Sequence, residues 1–448
     1  MEPRSGGEAL CGMTRGEAIG ATAAASAGHQ GENFKSRGSP PGKATRTRLT
    51  VPLDTMPEPV RPLSHIKVVD LTRARSGPTC VRQLSEMGAQ VIKVEAANAV
   101  EDDGTGERHG FDFQNIHPNK RSLTLNLKHP DGLAVLLRLV KDADVVVENF
   151  RPDVKHRLGI DYETLSKINP RLVYGSISGF GQTGPYRGRP GLDQIAQGLS
   201  GLMTVNGEPG RGPMRVGLPV ADLTAGFMLA HGVLVALLER ERSGKGQWVH
   251  TSLLQANIRL MEFQAARYLL AGEVPGQAGN YHPISEPTGV YRASDGSLII
   301  QAGGQVMFRR LCDALQAPEL AEDPRFTNGR ERLKRRPELT VEIEKRLASQ
   351  TAADWVEVLT EFGVPAGPVL NVAECFANEQ VQTLPVIAEV DHPILGHQRL
   401  LAPGVNLERT PGKVCSPTPE RGQHSDEILQ EFGYSAEDIA RFHAEGVV

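Results

Sequence analysis

From His65 onward the chain alternates short runs rich in Val and Ile with longer amphipathic stretches. HIKVVDL, AQVIKVE, DVVVENF and RLVYGSIS read as strands: brief apolar runs bounded by Gly, Pro or charged residues fit strands covered on both faces. Between them PTCVRQLSEMG and DGLAVLLRLVKDA have the spacing of amphipathic helices. This alternation predicts βαβ units and a parallel sheet, with NKRSLTLN, 119–126, as a further strand. After Ser178 the pattern breaks into GFGQTGPYRGRPGLD, whose glycines and prolines predict a long loop. One strong helix is then predicted over 223–242, opened by Asp222 and stopped by Gly244 and Gly246. It is apolar on most faces and therefore expected to be largely buried.

A new set of elements occupies about 285–370. GVYRASDGSLIIQAGG predicts a hairpin around Asp295 and Gly296, and helices are expected near 306–316, 337–349 and 352–363. The C-terminal stretch holds a strand, VIAEVDHP, and two helical segments, EILQEFG and AEDIARFHAEG. The expected fold is α/β. A large Rossmann-like domain is built from both ends of the chain, residues 56–260 and 375–448, and a smaller α+β domain, 280–370, is inserted with linkers on either side.

At 448 residues the chain is long enough for two domains, and 39% hydrophobic with 23% charged residues is ordinary for a globular protein. A formal net charge of −4 offers no basic surplus, so nucleic acid is not an expected partner. Cys11, Cys80, Cys312, Cys375 and Cys415 stand singly, without a CxxC pair or a histidine at ligand spacing. They read as reduced thiols in a cytoplasmic setting, with no metal site. No apolar run approaches the roughly 18 residues a span requires, so no membrane partner is expected. Residues 1–55 lack strand or helix periodicity and read as a disordered extension, with Met56 just before the first patterned segment. An upstream start codon is the expectation there, a mitochondrial transit peptide the alternative.

GFGQTG, Gly179–Gly184, matches GxGxxG behind a strand, but Pro185 and Pro190 follow where a helix would have to begin. A dinucleotide pyrophosphate would find no helix N-terminus there. Asp222 stands at a helix start, where a carboxylate caps the free amides of the first turn. The same place suits a nucleophile whose charge the helix dipole sustains, so capping and catalysis are both open.

DLTRARSGPTC, GAQVIKVE, NKRSLTLNLKHPDG, DVVVENFRP, LGIDYETL, NPRLVYGSISGFGQTGP, ADLTAG, ERERSGKGQWV and GQHSDEIL follow one another in this order. Together they resemble the class III CoA-transferase family, which includes formyl-CoA transferase, the carnitine CoA-transferase and the alpha-methylacyl-CoA racemase. The resemblance runs from about residue 63 to the C-terminus. It implies that Asp222 is the nucleophile, forming in turn a mixed anhydride and an aspartyl-CoA thioester, and that the family's intertwined homodimer is formed here too. No permanently bound cofactor is implied, and a coenzyme A thioester is the substrate.

By the same resemblance Asp193 lies near the reaction centre as a second catalytic carboxylate, although an N-cap role is equally open for it. Leu125, Lys128, Asn149, Phe150 and Arg157 fall on positions that contact CoA. An arginine follows KVE in close relatives where Ala96 stands here, which leaves Lys120 or Arg121 to supply that charge. The loop that covers the thioester in formyl-CoA transferase corresponds to GNYHPISEP, where only Gly279 remains of the glycines; His282 is a substrate contact or a loop histidine. Arg75 replaces a glutamine or leucine of relatives and, with Arg215, points to a dicarboxylic acyl group such as succinyl, glutaryl or mesaconyl. The racemase of the family needs a histidine in the segment before Asp193, and none lies between Arg157 and Asp193. The expectation is therefore CoA transfer from a donor such as succinyl-CoA to a carboxylic acid, with racemisation of an acyl-CoA as the alternative.

Overall fold

The computed structural model describes residues 61–97 and 107–448; the expectations for residues 1–55 and for Met56 lie outside them. Six parallel strands, β1 (Lys67–Asp70), β2 (Gln90–Glu95), β3 (Lys120–Thr124), β4 (Val145–Glu148), β5 (Val173–Ser178) and β6 (Trp248–Ser252), form one sheet in the order β3-β2-β1-β4-β5-β6. Val69 pairs with Ile92 of β2 and with Val146 of β4, so chain order reverses on either side of β1. That reversal opens a crevice beyond the carboxyl ends of β1 and β4, the place where such sheets hold their ligands.

Alternate strand residues face opposite sides. Val68, Val91 and Val145 pack with α1 (Ser76–Glu86) and α8 (Val220–Ser243). Val69, Ile92 and Val146 face α3 (Pro130–Asp142) and the C-terminal helices α18 (Ser425–Glu431) and α19 (Ala436–Ala444). Both ends of the described chain thus cover the same sheet. The connecting elements are α2 (Phe111–Ile116), α4 (Pro152–Leu158), α5 (Tyr162–Ile168), α6 (Asp193–Leu199), α7 (Leu202–Val205), α9 (Leu253–Leu260) and α10 (Glu262–Ala271).

A separate core gathers Tyr291, Leu298, Ile300, Phe308, Ile343 and Leu359 around a three-stranded antiparallel sheet. It comprises β7 (Thr288–Arg292), β8 (Ser297–Gln301) and β9 (Ala366–Pro368), with helices α11 to α15 lying between Gln305 and Glu361. The hairpin turns at Asp295 and Gly296 as anticipated. After α16 (Val372–Ala377) and α17 (Glu379–Thr383), the strands β10 (Ile387–His392) and β11 (Gly396–Leu401) pair by themselves.

Strands β6 and β11 and helices α9 and α10 were not anticipated from the sequence. β6 is an edge strand of five residues that includes His250 and follows directly on a glycine-rich turn, so its apolar signal is short. Helix α9 does carry a start signal: the Ser252 side chain accepts from the Gln255 amide at 3.1 Å. Helix α8 corrects the hydropathy expectation, being long and apolar enough to cross a membrane, with mean hydropathy 1.8. Here it lies against α1, β5 and β6, burying Ala221, Ala225, Gly226, Leu229 and Val233. Gly226 permits this approach, since a Cβ there would stand 2.7 Å from the Ser76 carbonyl oxygen and from Thr79.

Candidate active site

The turn between β1 and α1, residues 71–75, is held from several sides. Asp70 accepts from the Thr72 amide at 2.9 Å and from its hydroxyl at 2.5 Å. Lys93 Nζ donates to the Thr72 carbonyl at 3.1 Å. Asn149, just past β4, clasps Arg73 by its backbone, accepting from the amide at 2.8 Å and donating to the carbonyl at 2.7 Å. Ala74 is thereby kept at φ +57°, a left-handed conformation that costs a non-glycine residue of order 1 kcal/mol. No local sequence signal marks this strain, which delivers Arg75 and Ser76 to the start of α1.

Asp222 faces that turn, and the structure changes its expected setting twice. It is not the N-cap: Pro219 holds that position, and Asp222 lies inside the first turn of α8. The free amides are capped from elsewhere in the chain, by Asp193 at the start of α6, whose Oδ1 accepts from Ala221 at 2.8 Å and from Asp222 at 3.3 Å. Asp193 is fixed in turn by Gln197, which donates to its Oδ2 at 2.6 Å and accepts from the Val216 amide at 2.9 Å. The expected lowering of the Asp222 pKa by the helix dipole is also overturned. Burial, then the Asp193 charge, push its carboxyl up to about 6, against the opposing pull of the Arg75 charge and a hydrogen bond from Ser76. Above that pH it is an anion, and a more basic one than an ordinary carboxylate.

Beside the turn a cavity of about 470 Å³ opens at the carboxyl ends of β1, β2 and β3. Leu125, Lys128 and Phe150 line it, together with Arg73, Lys93 and Ala96. Asn149 is not in its wall; its part is the clasp on Arg73. Arg157 is exposed on α4, where it stands 3.9 Å from Asp153. Neither residue proposed to compensate for Ala96 reaches the cavity. Lys120 is sealed beneath it, donating to Asp70 at 2.9 Å and lying 3.0 Å from His117 Nδ1, while burial lowers its pKa to about 8. Arg121 alternates to the other side and grips Glu427 and Glu431. The additional basic group in the wall is Arg421, brought from far downstream, a position that local sequence patterns did not flag.

Arg215 is exposed in the segment leading to α8. Gly279, at φ +61°, donates its amide to the Gly207 carbonyl at 3.0 Å, and a Cβ there would stand 2.6 Å from a Glu208 carboxylate oxygen. His282 is built into its loop: its carbonyl accepts from Arg336 at 2.6 Å and its ring stacks on Phe263 at 5.9 Å. Among the described residues His156, Asp161 and Glu163 bring three possible metal ligands together, but Asp161 is engaged in capping α5 through the Thr164 amide at 3.0 Å.

A six-stranded parallel sheet, a cavity with several basic side chains in its wall at the switch point, and a half-buried carboxylate on the helix beside it define the class, and the chain belongs to CoA-transferase family III, whose model matches residues 63–425. It is an enzyme of that class. The chain is 36% identical over 392 residues to a succinate–glutarate CoA-transferase of Agrobacterium fabrum, covering 84% of this chain and 97% of the relative. It is 40% identical over 326 residues to the acetyl-CoA:oxalate CoA-transferase of Acetobacter aceti, covering 71% and 84%. A CaiB/BaiF family protein from Brucella suis, solved by crystallography, superposes with a TM-score of 0.73 at 35% identity, covering 83% of this chain and 99% of that one.

Proposed function

We propose that this enzyme moves CoA from a donor such as succinyl-CoA to a dicarboxylic acid through a covalent intermediate on Asp222. The observation that carries the reading is the juxtaposition of Asp222 with the Arg73–Ser76 turn, one end of which lines the basic cavity while the other reaches the carboxylate. An Asp222 oxygen attacks the donor thioester carbonyl and expels CoA thiolate, leaving a mixed anhydride. The thiolate attacks the aspartyl carbonyl, releasing the donor acid and forming the aspartyl-CoA thioester. The acceptor carboxylate then attacks that thioester, and the thiolate expelled a second time attacks the acceptor's acyl carbon, restoring Asp222. Each step exchanges one acyl bond for another, so water must be kept from the intermediates.

Arg73, Lys93, Lys128 and Arg421 suit the phosphates of CoA, and Leu125 and Phe150 its less polar parts. Arg75 binds the distal carboxylate of the acyl group. Support for a dicarboxylate comes also from the relatives named for glutarate and oxalate. Asp193 acts by holding the start of α8 and setting the Asp222 charge.

We assign 56–260 with 375–448 to the large domain and 280–370 to the insert, in a cytoplasmic homodimer. The apolar side chains left outside on α8 and α10, Leu238 at 72% and Leu270 at 88% exposure, support a partner surface. Incubation with succinyl-CoA and a panel of acids, followed by mass analysis of new CoA esters, tests the activity. Transfer should vanish in Asp222→Ala, and borohydride should trap Asp222. Scrambling of an α-deuterated acyl-CoA without exchange would establish racemisation instead.

A further inference from the structure

Arg75 is not a bare guanidinium waiting for substrate. Its Nη2 is ion-paired with Oδ2 of Asp112 on α2, and the two side chains are exposed by only 27% and 28%. The Arg75 charge also acts on Asp222, and the adjacent Ser76 donates to the Asp222 carboxylate. Arg75 therefore stands under the influence of two carboxylates, the nucleophile and Asp112. Asp112 sits in the first turn of the six-residue helix α2, directly after its first residue Phe111, which is 92% exposed, so this carboxylate lies near solvent.

A guanidinium presents its donors in a fixed fork that fits one carboxylate much as it fits another. An incoming distal carboxylate would meet the same donors that Asp112 already holds, and exchange of one carboxylate for the other leaves Arg75 neutralised throughout. We propose that Asp112 is a displaceable counter-ion: it occupies Arg75 in the substrate-free enzyme and yields to the distal carboxylate of a dicarboxylic acyl group. Asp112 thus sets acyl preference by competition. A monocarboxylic acid leaves the pair closed, and a diacid must open it. This rests on the reading of Arg75 as the diacid-binding residue.

The test compares acceptors, succinate and glutarate against acetate and butyrate, at a fixed donor. In a double-displacement reaction kcat/KM for the acceptor reports only the second half-reaction, so the donor cancels from the ratio of diacid to monoacid. Asp112→Asn keeps the shape and removes the competing charge. The ratio should rise roughly 1.4- to 5-fold, the range expected for a part-exposed ion pair, through a lower KM for the diacid. Asp112→Ser must move the ratio the same way. A merely structural role would lower both acceptors together, and an unchanged or reduced ratio in both variants overturns the proposal. Arg75→Leu separates the two layers. If it leaves the diacid preference intact, the reading of Arg75 itself falls; if it abolishes the preference while the Asp112 variants leave the ratio unmoved, only the counter-ion is refuted.

Discussion

Replacing Asp193 by Asn separates its two effects on Asp222. The amide oxygen of Asn can still accept from the Ala221 and Asp222 amides, so the cap on α8 is retained while the negative charge is lost. Asp193 Oδ1 stands 3.3 Å from the Asp222 amide nitrogen, and roughly 6 Å is the outer limit at which a neighbouring like charge strongly raises a carboxyl pKa. At that separation two like charges repel by about 0.7 kcal/mol with the screening of water and about 3 kcal/mol at an effective dielectric near 20, equivalent to about 0.5 to 2 pH units. Burial is the larger cause of the raised Asp222 pKa, so the lower half of that range is expected. A nucleophilic carboxylate works only when ionised, so kcat/KM falls as pH drops through its pKa, about 6 in the unaltered enzyme. In Asp193→Asn this acid limb should move to lower pH by about half to one unit, measured as donor kcat/KM between pH 4.5 and 8 in a constant-ionic-strength buffer. Asp193→Ala should lose about 1 kcal/mol of stability in addition, for the missing cap. An acid limb that stays in place in Asp193→Asn, or moves upward, would refute the assignment of Asp193 as the charge that sets Asp222.

Asp222 also costs the fold something. Its carboxyl holds a proton to about pH 6 when folded against an ordinary 3.8, so the folded state is favoured as pH falls through that window and penalised above it. Asp222→Asn should therefore raise stability at pH 7.5 by up to about 3 kcal/mol, with the gain fading by about pH 4; equal gains in urea denaturation at both pH values would contradict this. Gly226→Ala puts a methyl group 2.7 Å from the Ser76 carbonyl and forces α1 from α8, costing about 1–3 kcal/mol. Activity per folded molecule should fall as well, because Ser76 leaves Asp222; full activity at reduced melting temperature would show that the spacing does not matter to the reaction.

The parallel sheet was legible because strands buried on both faces write continuous Val and Ile runs, and the insert because an Asp-Gly turn between two alternating segments announces a hairpin. What the sequence hid was carried by contacts between distant residues. The start of α8 read as a local cap at Asp222, yet the cap comes from Asp193, 29 residues upstream, so the sign of the Asp222 pKa shift was not written nearby. Lys120 and Arg121 looked equivalent, but strand alternation sends one beneath the cavity and the other to α18. The ion pair between Arg75 and Asp112 spans 37 residues and follows no periodicity. Arg75 itself was legible only through its place in DLTRARSGP.

The clasp on the 71–75 turn has a consequence for how acyl preference can diversify. Asp70, Lys93 and Asn149 all hold it through the backbone or side chain of Thr72 and the backbone of Arg73, and none of them touches the side chain at 75. The position behaves as a socket: its plug can be exchanged while the frame, the neighbouring cavity and the nucleophile stay where they are. On the proposed roles of Arg75 and the cavity, a lineage can change the acid it serves by altering residue 75 and the group facing it, leaving the inherited grip on the carrier untouched.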